Sequence, residues 1–243
     1  TIAGGTRVVF EGPYQIEVQG TLLAQGRESD SILFTVLDTS GFYLTDQDTG
    51  SWRGIYFNNW FNNMDDNIPS KFSYCNFQFG KATSHDRGGV LTLANIENLN
   101  FEHCDFRFNS AVNYTGSVLD ADQSEFSMDH CRFYRNWNEV HHINNSEARF
   151  SNCTFSYNRA PRVKCAYIFA SQFYSTNNHY HNNYTTTYES GVVFRGSQSE
   201  LYLLNDVIAN NTCGNEGNIY LTSCLARVVN CTFVNNHNIN NNF

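Results

Sequence analysis

Asp120, His142, Tyr167 and Arg195 stand at one recurring offset, eleven residues before a repeated marker, so they share a register position if the repeats stack as strands. An acid, an imidazole, a phenol and a guanidinium on one stripe could bind and deprotonate a uronic acid. The same offset reaches Leu93 at one end and Tyr220 at the other, where the phenol ring would extend a substrate-binding face. The competing explanation is an ordinary solvated strand face, the commoner origin of such a coincidence in a polar solenoid. Other histidines invite a metal reading. His103 and His130 each precede a repeated cysteine and would be vertical neighbours, while His141 and His142 would point to opposite sides of one strand. Metal binding needs three or four convergent ligands. With two visible at a time, the pattern reads instead as a polar corner ladder continuing through Asn152, Asn177, Asn205 and Asn230.

What must position these groups is a repeat, apolar-x-x-Cys-x-Phe-x-x-Asn, with copies at Cys104, Cys131, Cys153 and Cys231, a weaker one at Cys75, and degenerate ones at Asn178 and Asp206. The interval between markers varies from 22 to 29 residues while the motif keeps its register, which points to loops of variable length hung on fixed strands. The chain therefore reads as all-β, a single-domain right-handed parallel β-helix of about ten coils with three short strands per coil. One strand per coil is the apolar step before the marker, such as 99–101, 126–128, 201–203 and 227–229. Another is the apolar run after glycine at 88–93, 116–120, 191–194 and 217–221, where the glycine suits a tight corner. Stacking at the strand spacing of ~4.8 Å makes columns. Phe77, Phe106, Phe133, Phe155, Tyr180, Ile208 and Phe233 form an internal aromatic stack; Asn109, Asn136, Asn158, Asn183, Asn211 and Asn236 form a turn ladder with a structural role.

Residues 71–243 hold the regular coils, and 1–70 are atypical, with insertions at 36–50 and 58–70. The first insertion carries Asp46-x-Asp48-x-Gly50, a spacing like the start of a calcium loop; the second sets Trp60 and Phe61 beside Asp65 and Asp66. Calcium takes six to eight oxygens and the distal bidentate acid of an EF-hand loop is absent, which counts against a complete calcium loop; no cofactor is expected, with calcium at Asp46, Asp48, Asp65 and Asp66 the one possibility. Trp60 and Phe61 could stack on sugar rings or cap the solenoid against solvent.

The Phe-x-x-Asn motif paired with Gly-Gly-Val-Leu at 88–91 or Gly-x-Val-Leu at 116–119 resembles the repeats of chlamydial polymorphic outer-membrane proteins, and the whole pattern resembles the pectate-lyase-like superfamily of right-handed parallel β-helices. That repeat likeness covers residues 71–243. Residues 16–26, 31–35 and 51–59 look like the first coils of secreted β-helix proteins from Bacteroidetes, which commonly leave the cell by type IX secretion. The superfamily includes lyases, hydrolases, esterases, epimerases, adhesins and spacers, so the resemblance implies a fold and leaves activity open. Of the polygalacturonase signatures only an Asp-Asp pair is present, Asp65-Asp66, and it lies in a loop. The Asp-Pro-His-Glu signature of alginate epimerases and the arginine-centred signature of pectate lyases are not recognisable.

The 243-residue chain carries a net charge of −8 with 16% charged residues, which argues against a nucleic-acid partner. No apolar run is long enough to span a membrane. Both ends read as cut from a longer protein, whose flanking domains would be its first partners. Of eight cysteines, five share one inward column, where parallel side chains cannot converge to bridge, and are expected as free thiols; a Cys213–Cys224 disulfide is possible on proximity. Sequons at Asn113, Asn144, Asn152, Asn183, Asn210 and Asn230 matter only in a eukaryotic source. Three functions fit: an adhesive or structural module at the cell surface, on the bacterial outer-membrane exterior, meeting surface glycans or proteins; a uronate lyase or glycoside hydrolase; a non-catalytic carbohydrate-binding module. The first is preferred, because a stack of coils needs no active site.

Overall fold

Each repeat becomes three short strands separated by sharp corners, because its apolar residues alternate with polar ones over only three to five positions before a residue suited to a turn intervenes. The computed structural model describes residues 1–44, 46–59, 69–83, 86–112, 115–160, 165–185, 193–215 and 217–239, and no helix occurs among them. The strands assemble into three long sheets. A stripe sheet of eight runs from Ile16–Val18 to Ile219–Thr222, a middle sheet of nine from Ile2–Ala3 to Leu225–Val229, and a marker sheet of nine from Arg7–Phe10 to Thr232–Val234. One coil passes through Leu91–Ala94, Leu99–Glu102 and Asp105–Arg107, each pairing in parallel with its equivalent in the next coil. The chain is thus an all-β parallel β-helix with three main strands per coil.

A fourth, narrow strip was not foreseen. Two-residue strands follow the marker sheet at Lys81–Ala82, Ser110–Ala111, Arg159–Ala160, Tyr184–Thr185, Thr212–Cys213 and His237–Asn238, with Trp137 bridging Ser110 to Arg159. The variable loops leave from this strip and return to the stripe sheet, between Ala82 and Leu91, Ala111 and Leu119, and Trp137 and His141. Drift of the repeat length is confined largely to that side.

The corners are built on left-handed residues. Three columns of positive φ border the sheets, represented by Gln123, Asn145 and Ala170, by Tyr74, His103, His130 and Asn152, and by Phe79, Phe108, Arg135 and Tyr157. Such a conformation costs about 1–2 kcal/mol for a residue other than glycine. It persists where surrounding structure over-determines it, and here a ladder follows every column. After the third comes the asparagine ladder: Asn136 Oδ1 accepts from Asn109 N at 3.1 Å and Nδ2 at 3.0 Å, and its Nδ2 donates to Phe106 O at 2.9 Å. The pattern repeats at Asn158, Asn183, Asn211 and Asn236. After the first column comes a serine ladder that lies outside the repeat motif, in which Ser146 Oγ accepts from Ser124 N at 2.9 Å and donates to Asn144 O at 2.6 Å, with Ser171 and Ser199 continuing it.

The middle column is the cysteine column. Cys75, Cys104, Cys131 and Cys153 are buried free thiols, each 3.3–3.7 Å from a main-chain oxygen of the preceding coil. Burial pushes the Cys131 thiol well up, so it stays protonated. Where the marker is Asn178 or Asp206, a carboxamide or carboxylate oxygen accepts the main-chain N–H of the coil before. The possible Cys213–Cys224 disulfide is absent: both are free, Cys213 Sγ lies 3.1 Å from His237 O, and Cys224 sits at the corner of the stripe and middle sheets with Sγ 3.3 Å from Thr222 O. Neighbours in sequence, they belong to different corners of the coil.

Inside, Phe34, Phe77, Phe106, Phe133, Phe155 and Tyr180 stack with centroids 4.4–5.3 Å apart. A shorter stack, Phe72 on Phe101 at 4.9 Å, meets it edge-on at 5.8 and 5.9 Å. His141 points into this core, wholly buried, as the opposite-sides expectation required.

Asn158→Ala removes an oxygen that accepts from Asn136 N and Nδ2 and an amide that donates to Phe133 O and Asn183 Oδ1. It should destabilise the chain by roughly 2–4 kcal/mol through the buried groups it orphans, against under about 0.5 kcal/mol for Glu125→Ala on the exposed face. Urea unfolding of the two variants measures the difference.

Candidate functional site

Strand alternation turns Leu119 and Ala121 inward and leaves Asp120 and Asp122 on the outer side; in the next coil His141 and Ile143 face in and His142 faces out. The register then pairs Asp120 with His142, His142 with Tyr167, Tyr167 with Arg195 and Arg195 with Tyr220. The stripe is therefore one column of the stripe sheet. Leu93 does not belong to it. Thr92 pairs with Asp120, while Leu93 pairs with Ala121 and is buried, because the corner from Ala94 to Leu99 holds one residue more than its counterpart in the next coil. Below Thr92 the column continues through Tyr56 to Glu17.

Two loop residues complete the cluster. Glu139, 3% exposed, stands in the shortest return loop and accepts from His142 Nδ1 at 2.8 Å, which fixes the ring and assigns the proton on that nitrogen. Arg87 Nη1 lies 3.9 Å from Asp120 Oδ1 and 3.8 Å from Asp122 Oδ2. Asp122 also accepts from Asn144 at 2.9 Å. Tyr167 leans on His142 with ring centroids 5.0 Å apart, and the Arg195 guanidinium lies 5.5 Å from the Tyr220 ring centre. Asp120 is 4% exposed, and burial raises its carboxyl to about 6 against the counter-pull of His142 and Arg87. Such a group can hold or release a proton near neutrality, next to an imidazole oriented by a carboxylate. Offset counting could not reach Glu139 or Arg87, since both come from loops; the one signal for Glu139 was the 22-residue interval between Cys131 and Cys153, the shortest in the chain.

The corner ladder of histidines also forms. Tyr74, His103 and His130 stack at 4.7 and 4.8 Å along an open groove of about 500 Å³, with Asp105 held by Arg132 on the adjoining strand. Asp129 accepts from His130 Nδ1 at 2.7 Å. Among the described residues, no three His, Cys, Asp or Glu side chains are grouped to hold a metal.

The first insertion organises around a cation of the chain itself. Lys81, 0% exposed, directs its ammonium at the main-chain oxygens of Leu44, Gln47 and Thr49 at 3.1, 2.8 and 2.9 Å, and at Gly41 O at 3.5 Å. Asp48 pairs with Arg53, which also lies 3.7 Å from Asp86. Asp46 is exposed. Trp60, Phe61, Asp65 and Asp66 lie outside the described residues.

Compared with known proteins, the chain matches no family model and no curated protein. No helix among the described residues is long and apolar enough to cross a membrane.

Two outcomes follow. Lys81→Met keeps a chain of similar length but leaves buried carbonyl oxygens unmatched, so it should lose roughly 3 kcal/mol of stability and make the segment 37–53 sensitive to limited proteolysis. The pH dependence combines two opposite terms. Asp120 is raised from 3.8 to about 6, so its contribution is fully present below about pH 4 and lost as pH rises through 6, at most about 3 kcal/mol. His141 is lowered by burial from 6.5 to about 3, so its contribution is present above 6.5 and lost as pH falls through 3. Asp120→Asn should steepen acid destabilisation below pH 6.5, and His141→Gln should leave stability declining from pH 4 to 6. Urea midpoints across pH 3–8 would show both slopes.

Proposed function

We propose that this chain is a non-catalytic module of a secreted or cell-surface protein, a rigid β-helix that displays a polar face and adheres to surface glycans or to other surface proteins. The observation that carries this reading is that the asparagine ladder and the aromatic stack run through the coils bearing Asp120 and His142 without interruption, so no coil is rebuilt around a reaction centre. Asp120 faces Arg87 and His142 is held by Glu139, so these groups are engaged with one another. The likeness of the repeats to those of polymorphic outer-membrane proteins, and of the first coils to secreted β-helix proteins of Bacteroidetes, supports an extracellular placement on a bacterial surface. Flanking domains of the same protein are the partners this role implies, and calcium remains the one cofactor to test.

A second reading has its own observation. Asp120 is buried with its carboxyl raised to about 6 beside an imidazole oriented by Glu139, an arrangement suited to proton transfer on a uronate polymer, with Tyr167 and Arg195 as its neighbours on the stripe. A depolymerisation screen over uronate and neutral polysaccharides, with and without calcium, separates the two. The adhesive reading expects no cleavage, with glycan or surface-protein retention unchanged in Asp120→Ala/His142→Ala. Cleavage that vanishes in that double variant would replace it with a lyase or hydrolase.

A further inference from the structure

The first insertion folds back over the corner that follows the marker sheet. Between them is a cleft of about 330 Å³, a size that takes a small ligand. Phe42 and Tyr43 form one wall; Trp137, Tyr157, Arg135 and Arg159 form much of the other. Tyr43 is 84% and Tyr157 50% exposed, a large aromatic area left to solvent on facing walls. Phe42 is buried, packed edge-on to Phe79 at 5.3 Å, with the Lys81 ammonium 5.1 Å from its ring centre. The wall is therefore anchored by the same cation that gathers the loop.

The two arginines give the cleft its sign. Arg135 stacks over Tyr134 at 5.1 Å, and Arg159 lies 5.7 Å from the ring centres of both Trp137 and Tyr184. Aromatic support of that kind fixes the plane of a guanidinium and leaves its edge donors to a partner. Neither makes an ion pair with a described residue, and among the described residues no carboxylate lines the cleft, in a chain whose net charge is −8. Arg135 occupies a left-handed turn position, φ +52°, next to the ladder residue Asn136, and its N–H donates to Ser156 O at 3.2 Å, so its main chain is held in place.

Exposed rings that accept the C–H face of a pyranose, set beside two cations with no counter-ion among the described residues, complement a sugar carrying an anionic group. We propose that this cleft binds an anionic pyranose, a uronate or a sulfate ester, at the end of or within a surface glycan. The inference deepens the adhesive reading by giving it a site and a ligand class, and it is independent of the stripe.

The test is calorimetric titration of the whole chain with an oligogalacturonate, a sulfated oligosaccharide of similar length and a neutral cello-oligosaccharide. Arg135→Gln/Arg159→Gln and Tyr157→Asn are the cleft variants, the latter chosen because asparagine tolerates the left-handed turn; Asp120→Asn/His142→Gln is the stripe control. Unchanged thermal midpoints would establish that the cleft variants fold. One or both anionic sugars should bind, more weakly with added salt, at least tenfold more weakly in each cleft variant and equally in the stripe control; which of the two binds distinguishes carboxylate from sulfate. No anionic binding, or binding that survives Arg135→Gln/Arg159→Gln, would overturn the cleft proposal. Neutral binding that the stripe control leaves unchanged would in that case keep the adhesive reading standing, whereas cleavage of an oligosaccharide would overturn the adhesive reading and leave the cleft to be judged by its own variants.

Discussion

The constraint on which the rest depends is that every coil must turn sharply and repeatedly with ordinary amino acids in left-handed backbone conformations. Two of the three corners are held by a side-chain oxygen of the next coil accepting a main-chain N–H of the present one, from asparagine at one and serine at the other, while at the third cysteine thiols reach main-chain oxygens of the preceding coil. The bond runs along the stack and not within the coil, so a coil is stable only in register with its neighbours. That is why the repeats cannot be domains, and why the aromatic columns lie ring over ring: the ladders set the spacing that the rings then fill.

A frame determined this way leaves two regions free to vary. One is the outer face of each sheet, where residues such as Asp120, His142 and Arg195 contribute little to the core. The other is the return from the narrow fourth strip to the stripe sheet, where loop length changes without disturbing any ladder. The acid–base cluster forms where the two meet, with strand residues set by register and Arg87 and Glu139 supplied by loops of different coils. Burial under those loops, more than any single neighbour, raises the Asp120 carboxyl.

The first insertion follows a different logic. It interrupts the coil, and its main-chain oxygens converge on the Lys81 ammonium, with Asp48 engaged by Arg53. An internal cation thus does for this loop what a bound ion does for many others, and burial lowers the lysine without depriving it of acceptors. The same ammonium sits over Phe42, which links the order of the loop to the aromatic cleft on the corner beyond it.

The fold was legible from spacing alone because a stacked coil repeats its inward residues at equivalent places, and a column of Cys, Phe and Asn is hard to produce otherwise. The register of Asp120, His142, Tyr167 and Arg195 was legible for the same reason, as was the turn column of His103, His130, Asn152 and Asn177. Counting failed at Leu93, where one extra corner residue shifted the column to Thr92, and at Cys213 and Cys224, whose closeness in sequence conceals two different corners. The serine ladder escaped because a small hydroxyl residue once per coil is common in a chain rich in serine, and only its bonds reveal it. Sequence by itself determined which residues lie in one column, since period and register are local properties. The tertiary structure alone decided what faces each column from outside, Glu139 on His142, Arg87 on Asp120, Lys81 within its ring of carbonyls, because those contacts depend on how loops of unequal length fold back over the stack.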